Sequence, residues 1–136
     1  MVRFCPQCWQ RNPYEAVICE SCGANLREES GDRVDRLIVS LAHPLGQTRQ
    51  LVATLLGKTG DPRAVQALNE AVPRAIEGHD WELLDGLVAG LAASGRPEAV
   101  QGLTLAAEKG YLRARRAART ALARRAAVGA DEGRGL

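Results

Sequence analysis

Leu56-Gly57-Lys58-Thr59-Gly60-Asp61-Pro62-Arg63-Ala64-Val65-Gln66-Ala67-Leu68 returns 35 residues further on as Leu91-Ala92-Ala93-Ser94-Gly95-Arg96-Pro97-Glu98-Ala99-Val100-Gln101-Gly102-Leu103. Leucine, glycine, proline, alanine, valine, glutamine and leucine recur at matching places. Each copy reads as a helix end, a glycine stop, a proline start and a new helix. Glycine takes positive φ freely, so it suits the residue just past a helix. Proline lacks an N–H that the first turn leaves unpaired anyway. One period therefore holds two helices, and a fixed period of this length is the mark of stacked helix pairs.

The pattern predicts six helices at roughly 33–42, 47–57, 62–77, 80–93, 97–109 and 111–127. Leu84, Leu87, Val88 and Leu91 share one face of the fourth at helical spacing. Gly86 and Gly90, one turn apart, permit a neighbouring backbone to approach closely. Pro73 removes a hydrogen bond inside the third helix and is expected to bend it. No stretch alternates like a strand. Residues 28–32 read as a polar linker, with Asp32 a candidate cap for the first helix. Residues 128–136 read as a flexible tail.

The string Gly60-Asp61-Pro62-Arg63-Ala64-Val65-Gln66-Ala67-Leu68 resembles the short HEAT-like repeats of the phycobilisome-lyase type. The resemblance spans about 33–127 and implies an α-solenoid of about three helix pairs. In such families a basic residue begins the second helix of a pair. Arg49 and the arginines from Arg113 to Arg116 hold comparable places, whereas the second pair carries Asp80, Glu82 and Asp85. The resemblance also implies protein binding along a concave or lateral surface.

The N-terminal segment follows other rules. Cys5-Pro6-Gln7-Cys8 is followed, after ten residues, by Cys19-Glu20-Ser21-Cys22-Gly23. Zinc takes four ligands tetrahedrally, with thiolate sulfurs at about 2.3 Å. Each Cys-x-x-Cys turn delivers two sulfurs to one side of the ion. Four thiolates leave no open position, which makes the expected site structural and not catalytic. A disulfide pair or free thiols is the alternative, and a reducing cytosol and the spacing both argue against it. A module this small buries too little apolar surface to fold alone, so the metal is expected to hold it together.

The stretch from Cys5 to Leu26 resembles a short zinc-ribbon family common at the ends of prokaryotic proteins. Its members read CPxCG, then Asn-Pro, then CxxCGxxL. Cys5, Pro6, Cys8, Asn12, Pro13, Cys19, Cys22, Gly23 and Leu26 match. Trp9 stands where the family usually has glycine. Such ribbons serve protein or nucleic-acid contacts. The expected organisation is a ribbon at 1–27, the linker, the helical repeats and the tail.

Composition narrows the functions. The chain has 136 residues, 46% hydrophobic and 25% charged, as globular domains do. No apolar run is long enough to span a membrane and the N-terminus lacks a signal-peptide core, so a cytoplasmic location without membrane insertion is expected. The formal charge of +2 is unevenly spread: residues 111–136 hold seven arginines against two acids, a local +5. Arg113, Arg115, Arg116 and Arg119 are candidate partner-binding residues, facing an acidic protein or phosphates. A solvated cap on the last repeat is the bland alternative. Trp9 and Tyr14 are candidate contact residues too, unless they form with Ile18 a small core over the metal.

Glu77, Asp80, Glu82 and Asp85 lie near His79 and Trp81, yet acids are favoured at a helix start for dipole reasons alone. His43, before Pro44, reads as a cap. No catalytic motif is present, so no enzyme activity is expected. The leading expectation is a non-enzymatic adaptor or scaffold that binds protein partners within a larger assembly. A nucleic-acid-binding accessory and a tetrapyrrole-binding, lyase-like accessory are the alternatives.

Overall fold

The computed structural model describes residues 1–27 and 31–134, with side chains as far as Val128. The fold is mainly helical. Strands β1 (Val2–Phe4) and β2 (Arg11–Pro13) form an antiparallel hairpin, Arg3 opposite Asn12. Helices α1 (Arg33–Val39), α2 (Gly46–Thr59), α3 (Pro62–Glu77), α4 (Trp81–Ala93), α5 (Val100–Lys109) and α6 (Leu112–Arg134) follow. None is long and apolar enough to cross a membrane.

The helix boundaries have local causes. Asp32 caps α1 by accepting from the Asp35 N–H, and Asp35 accepts in return from the Asp32 N–H. Asp61 caps α3, with Pro62 at its first position, and Asp80 caps α4. Gly60 and Gly95, equivalent in the two sequence copies, both take left-handed backbone, at φ +65° and +68°.

Three boundaries differ from the sequence expectation. The first helix ends at Val39 and continues only as a 3-10 turn, Ser40–Ala42. Pro44 forces the residue before it out of helical geometry, and His43 accordingly sits at φ −56°, ψ 141°. The fifth begins as a 3-10 turn, Pro97–Ala99, because Arg96 stands where Asp61 caps the first copy. The sixth runs on to Arg134, past the expected end near 127. Of the expected linker, 28–30 lies outside the described residues, as does 135–136 of the tail.

α2 packs on α4 and α4 on α6, while α1, α3 and α5 form the adjoining row. Leu56, Leu68, Leu84, Leu87, Leu91 and Leu103 are fully buried between the rows. Each such side chain contributes roughly 1.5–3 kcal/mol by leaving water. The glycines set the distance between α2 and α4. A Cβ on Gly57 would lie 1.9 Å from the Gly90 carbonyl oxygen, and one on Gly86 2.4 Å from that of Gln50.

Polar bonds join one helix pair to the next. Arg96 donates through Nε to the Gly60 carbonyl at 2.8 Å. Asn69 accepts from the Gly102 N–H at 2.9 Å and donates to the Glu98 carbonyl at 3.0 Å. Arg125 reaches back to the carbonyl of Arg96 (2.7 Å), just before the 3-10 turn, and to that of Leu91 (2.8 Å), in the last turn of α4.

An exposed ionic cluster joins α1 to α3. Arg63 bridges Asp32 (2.8 Å), Asp35 (3.1 Å) and Asp61 (2.9 Å). Its hydrogen bond holds the Asp32 carboxyl down to about 2, and it lowers Asp61 likewise. A carboxylate with a depressed folded pKa adds stability above its unfolded value, near 4, and loses it as pH falls through the folded value. Arg63→Ala is therefore expected to lower the urea midpoint slightly at pH 7. The difference from wild type shrinks as pH drops from about 4 toward 2, and also in high salt. Urea titrations across that range check this, and a difference that persists unchanged at pH 2 contradicts it.

Candidate metal centre

The four cysteines sit on two backbone turns of the same shape. In the first, the Trp9 N–H donates to the Cys5 carbonyl at 2.7 Å; in the second, the Gly23 N–H donates to that of Cys19 at 3.0 Å. The Gln7 N–H points at Cys5 Sγ and the Ser21 N–H at Cys19 Sγ, each at 3.4 Å. Gly23 closes its turn at φ +78° and Trp9 at +62°. The departure from the Cys-x-x-Cys-Gly pattern thus keeps the glycine conformation and adds strain, about 1–2 kcal/mol for a residue with a Cβ.

The turns face one another. All four sulfurs lie within 4.8 Å of each other. Cys5 and Cys22 are 3.6 Å apart, as are Cys8 and Cys19. These gaps far exceed a disulfide bond of about 2 Å. They match the edge of a sulfur tetrahedron about a central ion at ~2.3 Å, which is about 3.8 Å. The donor set fits a metal ion, with every corner of the tetrahedron filled by protein.

Asn12 fixes how the turns meet. It is the buried polar side chain of the module, 2% exposed. Its Nδ2 donates to the Gln10 carbonyl (3.0 Å) and toward Cys19 Sγ (3.5 Å), and its Oδ1 accepts from the Glu20 N–H (2.9 Å). The β-hairpin is thereby pinned to the second turn. The motif match contained Asn12, but its role needs the folded geometry.

Electrostatics favour a bound cation. The Cys19 thiol is lowered to about 6, first by the Cys22 N–H and then, against desolvation, by the Ser21 N–H and Asn12. Cys22 receives the Ala24 N–H, yet desolvation and the three other sulfurs push its thiol up to about 12. Four crowded sulfurs do not ionise together unless a positive ion sits among them.

The hydrophobic part of the module is slight: Cys5, Cys19 and Leu26, with Ala16 and Ala24 against them. Tyr14 and Ile18, candidates for a core over the metal, are instead 50% and 54% exposed. The Arg3 guanidinium lies 6.0 Å from the centre of the Tyr14 ring.

Trp9 is half-buried against the helical body. Its ring and that of Phe4 meet the His43 ring edge-on, at 5.3 and 4.7 Å. His43 Nδ1 accepts from the Leu45 N–H at 3.1 Å, which leaves the ring proton on Nε2. Burial, then the nearby Arg49 charge, lowers its pKa. Arg49 secures the turn by donating to the His43 carbonyl (2.7 Å) and to Asp80 (2.8 Å). His43 is thus both the local cap expected and the contact between module and body.

The remaining candidates are spread over α6. Arg113 reaches Asp85 at 3.5 Å, and the Tyr111 hydroxyl donates to the same carboxylate. Arg115 is partly buried, with its Nε lacking a partner. Arg116 and Arg119 are exposed. Asp80 and Asp85 are thus occupied in capping and bridging. His79, at φ +52°, meets the Trp81 ring at a tilt, 5.2 Å between centres, and Trp81 meets Tyr111 likewise at 5.1 Å.

No family model matches the chain, and neither a curated protein nor a solved structure matches it.

Proposed function

We propose that this chain is a non-enzymatic adaptor. An N-terminal zinc ribbon, held by Cys5, Cys8, Cys19 and Cys22, and a stack of three HEAT-like helix pairs hold protein partners in a larger assembly. Zinc suits the site because four soft thiolates in a tetrahedron are its usual structural set. A filled coordination sphere gives the ion a scaffolding role. The α2–α4–α6 row beside the α1–α3–α5 row supports the repeat reading.

The observation that carries the adaptor reading is the outer side of α6. Arg116 and Arg119 stand exposed and, among the described residues, without an ion pair. Unpaired like charges in a row favour an acidic counterpart. No aromatic side chain interleaves with them, which disfavours stacking on bases.

Native co-purification tests the reading. Wild type is expected to bring down a defined protein that Arg116→Glu/Arg119→Glu loses. Recovery of the same proteins by both forms overturns it. Recovery of nucleic acid, released steeply by salt, favours the nucleic-acid alternative.

A further inference from the structure

A groove of about 810 Å³ opens where α4 ends, α5 begins and the second half of α6 passes. Ala92, Pro97, Val100, Ala117, Ala121 and Val128 form its apolar wall. Val100 is 41% exposed and Val128 56%, so the wall faces water. Arg125 lies at its base, tied to the Leu91 and Arg96 carbonyls. These two hydrogen bonds join the end of α4, the approach to α5 and α6, and tie the groove together across its base. A preformed site avoids part of the ordering cost of binding.

One side of the groove is basic. Arg116, Thr120 and Arg124 follow at four-residue steps along α6, which places them on one face. Arg124 lines the groove itself and, among the described residues, has no ion pair. No acid occurs in the sequence between Glu108 and Asp131.

The geometry points to a docking site for a short acidic, amphipathic segment of a partner protein. Small apolar side chains of that segment lie on the alanine and valine wall, and its carboxylates pair with Arg124 and Arg116. A lipid surface fits less well, because the wall offers only small side chains and none of the large ones that enter a bilayer. Nucleic acid fits less well, because the groove has no ring to stack on a base. The site rests on the adaptor reading and names the surface and chemistry of one partner.

The test uses a phage-displayed random peptide library panned on the zinc-loaded full chain. The expected result is a consensus that mixes Asp or Glu with apolar residues. Synthetic peptides of that consensus are expected to bind at least tenfold more weakly to Arg124→Glu and to Val128→Glu. Both positions are exposed, and circular dichroism checks that the variants fold. Lys58→Glu, an equal charge reversal outside the groove, is expected to leave binding unchanged. A consensus without acids, or peptides indifferent to Arg124→Glu, overturns the proposal. So does stronger binding of anionic phosphatidylserine vesicles or single-stranded RNA through the same residues. If the groove fails while a co-purified partner is still lost on Arg116→Glu/Arg119→Glu, the adaptor reading stands without this site.

Discussion

Gly57→Ala is expected to destabilise the helical body by about 3 kcal/mol, at the upper end of what overpacking usually costs. Helix propensity alone gives the opposite sign, because alanine is better than glycine inside a helix by about 1 kcal/mol. Sterics decide. The new methyl would stand 1.9 Å from the Gly90 carbonyl oxygen and 2.3 Å from its carbon. Those are backbone atoms of a buried helix, so no side chain can swing away. Relief requires α2 and α4 to part, which opens gaps around Leu56, Leu87 and Leu91. Thermal unfolding checks this: a loss of about 3 kcal/mol lowers Tm by roughly 15 °C in a helical body of about 100 residues. An unchanged or raised Tm contradicts the close α2–α4 contact.

Loss of the metal is expected to have a larger but more local effect. Cys19→Ser removes a sulfur that accepts the Ser21 N–H and faces Cys8. Structural zinc supplies about 10–16 kcal/mol of apparent binding energy in small domains. The module's own core of three buried side chains cannot replace that. In Cys19→Ser, or after strong chelation, the backbone NMR signals of residues 2–26 are expected to collapse to unfolded positions. Signals from α2 to α5 persist, because their core is separate. His43 and its neighbours shift as Phe4 and Trp9 leave. Retention of native module signals without metal contradicts this account.

Much of this was legible in the sequence because it depends on local chemistry. Glycine and proline punctuate the helices through φ alone, so the copies at 56–68 and 91–103 were readable without contacts. The cysteine spacing likewise led to sulfurs that do converge. What was not legible depends on partners remote in sequence. Gly86 and Gly90 announced a close approach, but their counterpart Gly57 emerged only with α2 in place. Arg125 takes its role from the carbonyls of Leu91 and Arg96, which come beside it only in the folded chain. Trp9 was visible as a departure from a glycine pattern, yet its packing on His43 required the helical body.

The proposed centre is one zinc ion enclosed by four thiolates. X-ray absorption at the zinc edge, on full-length protein purified near neutral pH without added metal, tests it most directly. The expected result is one zinc per chain with four sulfurs at about 2.3 Å and no nitrogen or oxygen bound to the ion. A content below about half a zinc per chain, or a nitrogen or oxygen ligand replacing a sulfur, would contradict it.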